Sequence, residues 1–91
     1  MLLRQLKENN QQWFARGNKK FFQDVSYRLL HSKKTGEPYL VRSTYAWTDM
    51  FDQPKRLHYR INPIGENFKI MPLVEQVFSN IYEVKEWLRN N

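Results

Sequence analysis

Cysteine is absent from these 91 residues. Without it there is no disulfide framework, no thiolate chemistry and no cysteine-based metal site. Glycine is scarce, three in all, and the three are spread out, so no glycine-rich loop can cradle a phosphate. The two histidines are His31 and His58, and no pair of ligand-type residues has a recognised zinc spacing. Asp49 and Asp52 sit among turn formers that lack the oxygen density of a calcium loop. No serine is framed by glycines as a nucleophile elbow requires. No apolar run approaches the roughly 20 residues of a membrane span. The opening stretch, MLLRQLKENN, is charged too early for a secretory signal. A cytoplasmic protein with neither metal nor cofactor is the expectation.

What is present argues for one folded domain over residues 1–91. Hydrophobic residues make up 41% of the chain and aromatics 15%, too much apolar surface for a disordered segment. The formal charge of +6 is uneven: +5 over residues 1–37, +2 over 38–62 and −1 over 63–91. A basic first two thirds suits an anionic partner.

The organising stretch is 25–47, VSYRLLHSKKTGEPYLVRSTYAW. Val25, Tyr27, Leu29 and His31 alternate, and so do Tyr39, Val41, Tyr45 and Trp47, as in half-buried strands. Gly36 can take the left-handed conformation of a type I turn with a bulge. A three-residue loop would pair Lys33 with Glu37, Leu29 with Val41, His31 with Tyr39 and Arg28 with Arg42. That register puts both apolar sets on one face. Alternation returns at 55–62, where Leu57, Tyr59 and Ile61 join the apolar set. Arg56, His58 and Arg60 join the other, and Pro63 with Gly65 marks the turn that follows.

Residues 2–16 read as a helix, with a bend or fray expected at Asn9–Gln12 and a stop at Gly17. Residues 67–71 read as a short fourth strand ended by Pro72. At the end of the chain, Asn80 and Glu83 have the spacing of a capping box, followed by an apolar stripe of Ile81, Val84, Trp87 and Leu88. The expected fold is α+β. An antiparallel sheet of three to four strands (about 21–31, 38–48, 55–62 and 67–71) carries an N-terminal helix (about 2–16) and a C-terminal helix (about 80–90), both on one face.

With one face covered, the other would stay wet and cationic, collecting Arg28, Arg42, Arg56, His58 and Arg60. Lys33 and Lys34 at the hairpin tip, and Lys19 and Lys20 before β structure begins, would add peripheral phosphate contacts. Arginine gives planar, bidentate contacts to phosphate. This face lacks aromatics for base stacking, so duplex backbone is favoured over single strands. The expected function is non-enzymatic binding of nucleic acid. The alternative is an adaptor or inhibitor docking on an acidic protein, with Met50 and Phe51 as a possible apolar contact. A third reading, a small basic nuclease, would use His58 between Arg56 and Arg60 as a base.

The order helix, three strands, helix is similar to that of double-stranded-RNA-binding domains, although their lysine cluster at the start of the last helix is missing from Asn80-Ile81-Tyr82-Glu83. The basic sheet followed by a helix also resembles the arm-site DNA-binding domains of phage-type integrases, and FSNIYEVKEWL at 78–88 is loosely similar to their end. The leading helix and fourth strand depart from that pattern. Neither likeness carries a site residue over.

Overall fold

The computed structural model describes residues 3–17, 23–47 and 54–91. Helices α1 (Leu3–Asn9) and α2 (Gln11–Gly17) come first, then strands β1 (Gln23–His31), β2 (Pro38–Trp47) and β3 (Pro54–Pro63). A 3-10 turn at Glu66–Phe68 and helix α3 (Ile81–Asn90) complete the chain. The strands form one antiparallel sheet, ordered β1-β2-β3. The expected class therefore holds: a small α+β domain whose three-stranded antiparallel sheet is flanked by N- and C-terminal helices.

The β1–β2 register differs from expectation by one residue. Arg28 faces Val41, Leu29 faces Leu40 and His31 faces Pro38. The cause lies in the turn. The Ser32 hydroxyl, in a buried residue, accepts from the backbone N–H of Lys34 and Thr35, both at 3.1 Å. Ser32 thus caps the loop from outside, as such hydroxyls cap a helical turn. Gly36 N–H donates to Ser32 O (2.9 Å) and Ser32 N–H donates to Glu37 O (2.9 Å). The loop is Lys33 to Gly36, four residues rather than three. Gly36 does adopt the left-handed conformation, at φ +77°, and closes the bulge as expected.

One residue of slip moves every β1 side chain to the other face. Val25, Tyr27, Leu29 and His31 now share a face with Leu40, Arg42 and Thr44, and through β3 with His58, Arg60 and Asn62. The opposite face holds Arg28, Leu30, Tyr39, Val41, Tyr59 and Ile61. Both faces are covered, which corrects the expectation of one. On the second face, Tyr39, Val41 and Ile61 pack with Phe78 and with Val84 and Leu88 of α3. On the first, Leu40 packs with Leu6 and Phe14 of α1 and α2, supported by Tyr27 and Leu29. With apolar partners on both sides, the odd register carries no burial penalty.

The α3 cap forms as read. Asn80 Oδ1 accepts from Glu83 N–H (2.9 Å), and the Glu83 carboxylate reaches back to Ser79 N–H (2.8 Å). The N-terminal helix breaks at Asn10, inside the stretch where a bend was expected. Asn10 Nδ2 donates to Leu6 O and to Phe68 O, both at 2.8 Å, and its Oδ1 accepts from Ile70 N–H at 3.2 Å. One side chain ends α1 and ties it to the loop after β3. Asn10→Ala should lower the unfolding free energy by about 1–3 kcal/mol, because it leaves part-buried backbone groups unpaired. Urea denaturation reads this as a lower midpoint with an unchanged slope.

No fourth strand forms at 67–71. Asn67 and Phe68 both sit at φ 58°, a conformation incompatible with an extended run and strained for a bulky residue. Ile64 and Ile70 make a single bridge instead. The outer edge of β3 is covered by 71–78 at irregular intervals. Met71 N–H donates to Pro63 O (2.8 Å), Val74 N–H to Ile61 O (2.8 Å), and Tyr59 and Phe78 exchange bonds of 2.8 and 3.0 Å.

Candidate anion-binding surface

The face reassignment separates the expected cationic set. Arg28 is exposed on the face that α3 covers elsewhere, beyond Leu30. Arg42 and Arg60 lie on the opposite face and stand directly across from each other in the β2–β3 ladder. His58 sits two residues before Arg60 on β3, across from buried Thr44. Lys33 and Lys34 are exposed at the hairpin tip. Arg56 belongs to β3, but its side chain lies outside the described residues, as do Lys19, Lys20, Met50 and Phe51. The arginine expected to oppose Arg42 was Arg28; the structure supplies Arg60.

Arg42 and Arg60 are both half-buried, and the Nε of each is buried with no hydrogen-bond partner. Arg60 makes one long bond, from a terminal nitrogen to Val74 O at 3.5 Å. Neither arginine pairs with a carboxylate among the described residues. Directly opposed like charges destabilise a strand pair, and partly dehydrated cations without counter-charge add to the cost.

The surroundings add positive charge and an aromatic wall. Tyr27 faces Arg42 across the strands. Burial pushes its phenol above the ordinary tyrosine value, and the Arg42 guanidinium opposes that rise. Tyr27 meets Phe14 edge-on at 4.8 Å and Trp13 at 6.0 Å between centroids. The Lys7 ammonium sits 5.9 Å from the Phe14 centroid and 6.0 Å from that of Tyr27, within cation–π range. Sequence reading missed Lys7, since nothing local says that α1 returns to the face bearing Arg42.

Among the described residues, no cluster of three or more histidine, aspartate or glutamate side chains could hold a metal ion. None of their helices is long and apolar enough to cross a membrane. No protein-family model matches the chain, and no curated protein or solved structure matches it significantly either.

Proposed function

We propose that this chain is a non-enzymatic domain that binds nucleic acid by its phosphates, with Arg42 and Arg60 at the centre of the contact. The observation that carries the reading is the opposed guanidinium pair, half-buried, with two unpartnered Nε atoms and no carboxylate paired with it among the described residues. A phosphate group offsets both the mutual repulsion and the missing counter-charge, and arginine is suited to hold it through planar, charge-assisted bonds. Lys7 extends the positive surface along the sheet. The net charge of +6 favours a polyanion over a single phosphate. Among the described residues the aromatics on this face, Trp13, Phe14 and Tyr27, are buried or half-buried and packed edge-on against one another, which favours duplex backbone over splayed bases. The reading goes with a cytoplasmic location, where such polyanions are abundant.

A salt titration tests it. Binding of a labelled duplex should weaken with a log–log slope of about −2 to −3, as expected for two or three neutralised phosphates. Failure to bind the duplex at low salt, or a slope near zero, overturns the proposal.

A further inference from the structure

Strand β1 is an edge of the sheet, and no other described strand pairs with its outer side. On β3, Tyr59, Ile61 and Pro63 turn their backbone groups away from β2, toward 71–78. His58, Arg60 and Asn62 therefore bond to Thr44, Arg42 and Leu40 across the ladder. That leaves Tyr39, Val41 and Ser43 to bond β1 through Leu30, Arg28 and Ser26. The Ser32 N–H to Glu37 O bond continues the same series. By this alternation Leu29 and His31 aim their N–H and C=O groups at the open edge. No hydrogen bond from another described segment reaches those groups.

Beside that edge lies a cleft of about 560 Å³ between β1, the hairpin and α3. Leu30 and Leu88 contribute its apolar lining, and Lys33, Lys85 and Arg89 its charge. Lys85 and Arg89 are one helical turn apart, so they line one side of α3. Among the described residues no carboxylate lines the cleft; Glu83 and Glu86 border a different depression, with Phe78 and Trp87. Lys33 N–H donates to Leu88 O at 3.0 Å, which ties the hairpin to the end of α3 and holds the two walls together.

We infer that this cleft takes an extended acidic segment of a partner protein, added to β1 as an outer strand. An incoming strand matches the outward N–H and C=O groups, and its acidic side chains on one face meet Lys85 and Arg89. A second copy of this chain is disfavoured there, because edge-to-edge pairing would bring two such cationic sets together. A phosphodiester backbone has no row of donors and acceptors to complete the ladder.

The test uses the full chain and a labelled peptide alternating glutamate with valine. Saturable binding is expected. It should weaken at least about tenfold when Lys85→Glu and Arg89→Glu are combined, both exposed positions. A peptide N-methylated at alternate residues, which removes the donors of one edge, should lose binding to a similar degree. Arg42→Gln with Arg60→Gln should leave peptide affinity unchanged, which separates this site from the phosphate surface. No peptide binding at low salt overturns the inference, as does equal binding by the methylated peptide or indifference to the charge reversal. Displacement of the peptide by a duplex whose own affinity needs Lys85 and Arg89, or a dimer of the chain that the peptide cannot dissociate, overturns it as well.

Discussion

Leu40→Ala should lower the unfolding free energy by about 2–5 kcal/mol, the range for removing a large side chain from a packed core. Leu40 is 0% exposed and packs with Leu6 and Phe14. A domain of this length has a total stability on the order of 5–15 kcal/mol, so this one truncation removes a large share. The prediction turns on the two-sided sheet: on a wet face, the same change would fall within about 0.5 kcal/mol of neutral. Val41→Ala should also destabilise, since Val41 is 2% exposed in the separate cluster under α3. Chemical denaturation of the two variants measures both faces independently. A neutral result at Leu40 would mean that α1 and α2 do not cover the sheet in solution.

Arg42→Gln combined with Arg60→Gln should weaken duplex binding by about two to four orders of magnitude. Hydrogen bonds to charged groups contribute roughly 1.5–3 kcal/mol each, and 1.4 kcal/mol corresponds to about tenfold. The same double variant should keep or slightly raise the melting temperature, because it removes two like charges facing each other across a ladder. Loss of binding with retained stability distinguishes a recognition role from a collapsed fold. Tyr27 supplies a second readout. With the Arg42 charge gone, burial acts on its phenol unopposed, so its titration should move further up. Unchanged duplex affinity would remove the pair from the interface.

Some of this molecule was legible in the order of its residues and some was not. The α3 cap rests on Asn80 and Glu83, three residues apart, and the left-handed turn on Gly36; both are satisfied locally. The break at Asn10 falls within a polar stretch that interrupts the apolar stripe, although its partners Phe68 and Ile70 are distant in the chain. The two-sided burial did leave a trace: Tyr39, Leu40 and Val41 are consecutive and all buried. Such a run signals a strand covered on both faces. Strict alternation elsewhere in the strands hid that signal.

Composition, periodicity and capping by themselves determined that three strands and flanking helices would form, because those preferences act over a few neighbouring residues. Only the tertiary structure decided which face each strand residue would occupy. That choice followed from one serine hydroxyl lengthening a loop by a residue and from α1 and α2 returning to bury the side left over. Pairing Arg42 with Arg60, and setting Lys85 and Arg89 beside the edge of β1, depended on the same long-range packing.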